Sequence, residues 1–425
     1  MPNKNKIAER KTCRISGEKL RSLFSLGKTY ISDFVSPDKK PHLPPIDLKL
    51  CLAHKSGLVQ LAHTAPSDEM YRHYWYRSGT NATMTKELEE IARSIQNLIK
   101  TKPGDVFIDI GCNDGTLLSF LDKGLIRIGF DPAQNGFKEL SSEHANLIID
   151  DYFSYNALKK SKYGNNKAMA ITSIAMFYDL EDPNKFVRGI AQTLHKDGLW
   201  VLQMSYLPLM LEQLAFDNLC HEHLEYYSLE SLKYLLDKHG LKIVDCQFND
   251  VNGGSFRVYI RKNNADESRF STAPYRSVAS YRVLSTLSHE RSLNLKSKKT
   301  YFDFYKKSLD LKRQTVSFIK KEKARGKTIW GYGASTKGNT LLQWFGLDGS
   351  LIDAIAERSP AKFGLKTVGT NIPITSEEEM RKAQPDYLLI MPWHFIKEFK
   401  QREAEYLKKG GKFIVPCPKF EIISI

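Results

Sequence analysis

The segment Val106-Phe107-Ile108-Asp109-Ile110-Gly111-Cys112-Asn113-Asp114-Gly115-Thr116 narrows the possible folds more than any other stretch of the chain. A short apolar run leads into a glycine-bounded turn, and Leu117, Leu118, Phe120 and Leu121 follow at helical spacing. An apolar run bounded by turn residues reads as a buried strand, and the spacing after it as an amphipathic helix. Gly111 and Gly115 let the backbone come close to a ligand where a Cβ would collide. Asp109, at the strand end, is placed to meet a cation. That layout suits S-adenosylmethionine, whose amino group and sulfonium are positive, better than a pyrophosphate. The glycine spacing also departs from the G-x-G-x-x-G dinucleotide turn.

The next two apolar runs repeat the arrangement. Residues 126–130 read as a second strand ending in Asp131, about 20 residues after the first glycine, where an acid can take both hydroxyls of an adenosine ribose. Leu147-Ile148-Ile149 ends in Asp150 and Asp151, where an adenine amino group can be bound. The candidate cofactor set is therefore Asp109, Gly111, Asn113, Gly115, Asp131, Asp151 and Tyr152. The plainer reading is an ordinary βαβ sheet with acids capping its helices.

At 425 residues the chain exceeds one compact core, so several domains are expected. Residues 1–80 are loop-rich, with Pro37, Pro41, Pro44 and Pro45 and two Cys-containing turns. Residues 81–265 alternate βα and end in a hairpin around Asn252-Gly253-Gly254. Residues 266–325 read as a charged helical bridge, and a second βα series fills 326–425. The expected fold class is α/β, with two Rossmann-like doubly wound domains behind a small N-terminal unit. Two such lobes leave a cleft between them, a usual place for a ligand.

The second series opens with Gly331-Tyr332-Gly333-Ala334-Ser335-Thr336-Lys337-Gly338-Asn339. Backbone N–H groups at a helix start, two hydroxyls and a lysine make a phosphate cradle. It is not a Walker loop, and tight packing of helix on strand is the alternative. The net charge of +15 invites a nucleic-acid reading. However, the cations are spread and interleaved with acids, and the densest cluster, 296–325, lies on an amphipathic helical stretch. A basic surface would still favour anionic substrates such as nucleotide sugars. No apolar run is long enough to span a membrane, and the first 25 residues are too polar for a signal sequence. The expected setting is the cytoplasm, with the six scattered cysteines reduced.

Cys220-His221-Glu222-His223 is the catalytic candidate. Two histidines flanking a glutamate are two apart, not the four that H-E-x-x-H needs for metal. As an acid/base group, a histidine beside a carboxylate suits neutral pH. A hydrogen-bonded structural histidine is the bland reading for at least one of the pair. The aromatic run Tyr71, Tyr74, Trp75 and Tyr76 reads as a packed lid or a wall for a sugar.

These residues, taken together, resemble the bacterial S-adenosylmethionine-dependent sugar C-methyltransferases. That family methylates C3 of a nucleotide-linked 4-keto-6-deoxyhexose in deoxysugar biosynthesis. The resemblance runs nearly end to end, through Gly57-Leu58-Val59-Gln60-Leu61, Tyr76-Arg77-Ser78-Gly79-Thr80, Asp109 to Leu118, His221-Glu222-His223 and Gly253 to Tyr259. It continues through Gly331 to Leu342, Pro392-Trp393-His394-Phe395 and Phe413-Ile414-Val415-Pro416. It implies His223 as the base, with Glu222 beside it and His221 and Tyr76 in the same catalytic group. It implies a substrate-binding set of Tyr76, Ser255, Arg257, Gly333, Ser335, Lys337, Asn339, Arg358 and Trp393. It also implies a structural zinc held by two Cys-x-x-Cys turns near the N-terminus. Here those turns read Cys13-Arg14-Ile15-Ser16 and Cys51-Leu52-Ala53-His54, so Cys13, Cys51 and His54 are the ligands on offer. Structural zinc sites want four; His42 or His63 would have to supply the last, or the zinc is gone. Two further departures are Cys220 for the family's tyrosine and Asp179 for a family histidine. The alternatives are an O- or N-methyltransferase on a small metabolite, an RNA-binding protein with a methyltransferase-like fold, and a nicotinamide-dependent oxidoreductase.

Overall fold

The computed structural model describes residues 7–72, 76–134 and 136–424, and of Asn252 the backbone alone. Tyr74 and Trp75 of the aromatic run lie outside the described residues. Val106–Ile110 is buried at all five positions, as a parallel strand covered on both faces must be. Around it runs a seven-stranded sheet ordered Leu241–Asn249, Ser255–Lys262, Leu194–Ser205, Ala168–Ile174, Val106–Ile110, Ile126–Phe130 and Leu147–Ile149. The last five are parallel to one another, and Ser255–Lys262 runs antiparallel between Leu194–Ser205 and Leu241–Asn249. In chain order the sheet reads 3-2-1-4-5-7-6, so its direction of winding reverses between Val106–Ile110 and Ala168–Ile174. Ligands bind in the crevice at such a switch point, off the carboxyl ends of the strands.

The helix Ala82–Leu98 covers one face of this sheet, its N-terminus capped by the Asn81 side chain, which accepts from the Thr83 and Met84 N–H groups. Trp200, Ile108 and Ile171 are fully buried on the other side of the lobe, with Phe177. The predicted hairpin forms as an antiparallel pair with Asn249 opposite Ser255.

The second lobe carries six strands ordered Ile374–Ser376, Ile355–Glu357, Ile329–Tyr332, Tyr387–Ile390, Lys412–Val415 and Glu421–Ile423. All but the last are parallel. Its chain order, 3-2-1-4-5-6, places a second switch point between Ile329–Tyr332 and Tyr387–Ile390. The charged stretch 266–325 divides between the lobes. Val283 and Leu287 of the helix Ala273–Ser292 pack on the first core, and Arg282 pairs with the buried Asp245 at 2.5 Å. Tyr301, Phe304, Leu311 and Ile319 of the helix Lys298–Ala324 enter the second core instead.

The N-terminal unit is an antiparallel sheet ordered Glu225–Tyr226, Val59–Leu61, Ile46–Leu52 and Arg21–Thr29, so the first lobe donates its edge strand. Leu48, Leu50, Phe24 and Leu61 share one core with the second lobe. The Tyr30 backbone and the Gln343 amide exchange two hydrogen bonds, at 2.7 and 3.1 Å. The metal expectation fails here. Cys51 is buried within its strand and His54 is exposed, and neither joins Cys13 in a ligand group. Among the described residues no three His, Cys, Asp or Glu side chains converge on a point that could hold a metal ion. Geometry explains it, since Cys51 stays within its strand and His54 faces solvent, which leaves Cys13 far short of the four ligands structural zinc requires.

Candidate active site

The first switch-point crevice is lined by Asp109, Gly111, Asn113, Asp131, Asp151 and Tyr152, together with Tyr71, Tyr76, Met176 and Asp179. Asp109 is the penultimate residue of the central strand and is 3% exposed, with the Thr172 hydroxyl donating to it at 2.7 Å. Burial, and to a lesser degree the Asp131 charge, raises its carboxyl to about 7 although the Thr172 bond opposes this. A buried carboxylate in that condition is stabilised by a cation. Asp131 accepts the Asn113 N–H at 2.7 Å and the Ala133 N–H at 2.9 Å. Each carboxylate oxygen has a second lone pair for a diol. Burial raises its pKa all the same. Tyr152 donates its hydroxyl to Asp68 at 3.1 Å, which leaves the ring as a wall of the crevice.

The glycine turn is held by more than glycine. Gly111 has φ +75° and a Cβ there would come 3.1 Å from the Met176 side chain. Asn113, at φ +51°, accepts the Ser78 N–H and donates its side-chain amide to the Tyr76 carbonyl. Asp114, not singled out from sequence, accepts the Gly79 N–H at 2.9 Å and the Arg77 guanidinium at 3.2 Å. The segment 76–80 is thereby pinned across the turn. Gly115 does something different from the expected ligand approach. It is absent from the crevice wall, and a Cβ there would sit 2.8 Å from Ser141 Cα. Its role is the close packing of two βα units.

The charged loop after the helix Leu207–Glu212 supplies the rest. Nδ1 of His223 lies 3.0 Å from the Asn218 carbonyl, so Nδ1–H donates and Nε2 keeps its lone pair. Burial, then the Lys337 charge, lowers this imidazole to about 3, against the Asn218 bond. Glu222 is 7% exposed, burial raises it to about 7, and its Oε2 has no hydrogen-bond partner. The Tyr71 hydroxyl donates to the Glu222 carbonyl at 2.8 Å. His221 turns the other way. It is 3% exposed with Nε2 at 3.2 Å from the Ile46 carbonyl, and burial lowers it to about 4. It is a tie to the N-terminal sheet, which corrects its catalytic assignment. Asp179, buried at Oδ1 without a partner, lines the crevice, and burial together with Glu222 raises its carboxyl far above the usual range.

The second lobe meets this loop directly. Trp393 donates its indole N–H to Asp217 at 3.1 Å and packs against Gly253, where a Cβ would come 3.3 Å from the ring. The Lys337 charge acts on Asp217, His223 and His394 together; burial, then this charge, takes His394 to about 3. Asp217 and Asn218 were missed from sequence, although two polar residues closing an apolar helical run were a usable signal.

The other expected binders divide. Ser335 caps the helix Thr336–Phe345 by accepting the Gly338 N–H, and Gly333 at φ +83° packs on Pro392. Both shape the cradle at the second switch point. Arg358 is exposed. Asn339 is 1% exposed and donates to the Asp33 carbonyl at 3.3 Å, so it fastens the N-terminal unit. Ser255 donates to the Val251 carbonyl at 2.9 Å. Arg257 is 3% exposed and committed to Glu87 at 2.6 Å, Glu90 at 3.2 Å and Gln203 at 2.8 Å. These three are structural, which corrects the expectation that they contact substrate. Arg257→Ala strands the nearly buried Glu87, so a loss of about 3–5 kcal/mol in unfolding free energy is expected. Denaturant unfolding checks it, and a loss below about 1 kcal/mol would contradict the assignment.

Two family models match the chain, "Methyltransferase domain" over residues 82–245 and "C-methyltransferase C-terminal domain" over residues 250–418. "C-methyltransferase NovU" of Streptomyces niveus is 29% identical over 418 residues, covering 97% of this chain and 96% of that protein. Among solved structures, magnesium protoporphyrin IX methyltransferase from Synechocystis PCC 6803 with bound S-adenosylmethionine is 11% identical at a TM-score of 0.31, over 42% of this chain and 78% of its own. N-methyltransferase NodS from Bradyrhizobium japonicum WM9 is also 11% identical at 0.31, over 42% of this chain and 94% of its own. Both likenesses take in less than half of the chain.

Proposed function

We propose that this chain, an S-adenosylmethionine-dependent C-methyltransferase, acts on C3 of a nucleotide-linked 4-keto-6-deoxy sugar in deoxysugar biosynthesis. The observation that carries this reading is the meeting of the two lobes at Asp217, His223, Lys337 and Trp393. A substrate reaching from that meeting point would have its reacting carbon by the first crevice and its anionic handle by the Gly333 to Lys337 turn. Ser335, Lys337 and the N–H groups opening the helix Thr336–Phe345 suit a diphosphate.

The 4-keto group acidifies the neighbouring C3–H. Nε2 of His223 takes that proton, its tautomer set by the Asn218 carbonyl. An anionic substrate entering beside the imidazole raises its pKa and strengthens it as a base. Tyr76 lines the donor crevice while remaining 39% exposed, and partial desolvation there pushes its phenol up to about 12. It therefore stays protonated and is available to donate to the enolate oxygen. Such a donor is worth roughly 3–4 kcal/mol of barrier. S-adenosylmethionine supplies the methyl group as an electrophile, and Asp109, Asp131 and Asp151 are the acids that would hold it.

The test incubates the protein and S-adenosylmethionine with a nucleotide-linked 4-keto-6-deoxyhexose. One added methyl group on carbon in the product, together with deuterium in place of the C3 hydrogen in recovered unmethylated substrate, is expected by mass spectrometry. A methyl group carried on oxygen or nitrogen, or no product from any such sugar, would overturn the reading.

A further inference from the structure

Residues 13–17 and 53–57 form two copies of one turn. Gly17 N–H donates to the Cys13 carbonyl at 2.9 Å, and Gly57 N–H to the Ala53 carbonyl at 2.9 Å. Cys13 N–H donates to the Glu18 carbonyl at 2.8 Å, and Ala53 N–H to the Leu58 carbonyl at 2.9 Å. Both glycines are left-handed, at φ +75° and +72°. The Glu18 N–H donates to the Ser16 hydroxyl at 3.4 Å, as the Leu58 N–H does to the Ser56 hydroxyl at 3.3 Å. The correspondence places Cys13 with Ala53 and Ser16 with Ser56. The true counterpart of the first turn is thus 53–56, two residues later than the Cys51 to His54 pairing read from sequence.

The turns face each other, with Cys13 Sγ 3.4 Å from Ser56 Oγ. The four corresponding positions thus carry one thiol, two hydroxyls and a methyl group. Hydroxyls keep their protons at neutral pH and a methyl group has no lone pair, so the set does not fit zinc. Glu18 spans the gap instead. Its Oε1 accepts from the Ser16 hydroxyl at 3.0 Å, the Lys55 N–H at 2.8 Å and the Ser56 N–H at 3.1 Å, and Oε2 accepts from Lys55 at 3.0 Å.

We propose that the Glu18 carboxylate closes the paired turns in place of a metal ion, and that positions 13, 16, 53 and 56 keep the arrangement of a four-ligand site. Charge-assisted hydrogen bonds from backbone amides are among the stronger ones, and here they join turns nearly 40 residues apart in the chain. Burial opposes ionisation of Glu18, but the bonds from Lys55, Ser56 and Ser16 outweigh it and hold the carboxyl below its usual range.

The full chain is assayed as purified. Elemental analysis should find no stoichiometric zinc, and a chelator should leave the unfolding midpoint unchanged. Glu18→Ala should lower that midpoint by roughly 2–4 °C at pH 7. Combining Ser16→Cys, Ala53→Cys and Ser56→Cys should let the chain take up one Co²⁺, seen by thiolate-to-cobalt absorption. Added zinc should then restore the midpoint when Glu18→Ala is included. One zinc per native chain that a chelator strips with loss of stability would overturn the proposal. So would a Glu18→Ala midpoint equal to wild type at pH 7. Should the cysteine variant fail to fold, those two measurements on other proteins decide the matter alone.

Discussion

Turnover of the His223→Ala variant should fall about 10²–10⁴-fold, the usual contribution of a positioned general base. Affinity for S-adenosylmethionine should stay close to wild type, because His223 is not among the residues lining the donor crevice. Exchange of the substrate's C3 hydrogen with deuterium should drop with turnover, since the same nitrogen takes that proton. His223 also predicts something about pH. With its imidazole lowered to about 3 by burial and Lys337, it is neutral across the physiological range. An acidic limb near the ordinary histidine value of about 6.5 is then not its signature in the free enzyme. Loss of kcat/KM on acidification should instead follow carboxyls held near 7, Asp109 and Glu222. Unchanged turnover and exchange in His223→Ala would remove it from the mechanism.

Asp109→Asn carries the second large effect, at the donor end. Replacing the carboxylate should weaken S-adenosylmethionine binding by about 30–100-fold, the loss of one charge-assisted contact worth about 2–3 kcal/mol. The wild-type carboxyl sits near 7 in the chain without ligand, and a bound cation stabilises its ionised form. Wild-type affinity is therefore full above pH 7 and falls as pH drops through it, with a proton released on binding. The variant should show neither behaviour. Stability moves the opposite way. A carboxyl raised from 3.8 to about 7 penalises the folded chain on the order of 4 kcal/mol when ionised at pH 8. Without ligand, Asp109→Asn should consequently unfold at a higher temperature than wild type. Calorimetry at pH 6 and pH 8 with scanning of the ligand-free proteins covers all of this. Equal affinities for the two proteins at pH 8 would sink the cation-binding role.

Local order was easiest to read where one residue type has one use. The apolar run before Gly111, the acid ending each of the next two strands and the Asn252-Gly253-Gly254 turn each announce their structure within a few residues. The residues expected at the strand ends do line one crevice, since they sit at fixed offsets from parallel strands. Long-range commitments were not. Arg257 and Asn339 look like ligand binders in sequence, yet the fold uses them on Glu87 and on the Asp33 carbonyl. Nothing in a linear pattern tells an arginine awaiting a phosphate from one already paired. His221 and His223, two residues apart, likewise part company only because one faces Ile46 and the other Asn218.

Two things are set by the chain's own local chemistry: a pair of α/β lobes, and acids at the strand ends of the first. Short-range physics suffices for these, because apolar period and glycine conformation act over a handful of residues. Tertiary structure alone decided which imidazole turns to the N-terminal sheet and which to the Asn218 loop, which glycine faces the crevice and which turn pairs with Cys13. Those outcomes depend on partners distant in sequence, and a buried polar group is defined by whatever packing brings within hydrogen-bond reach.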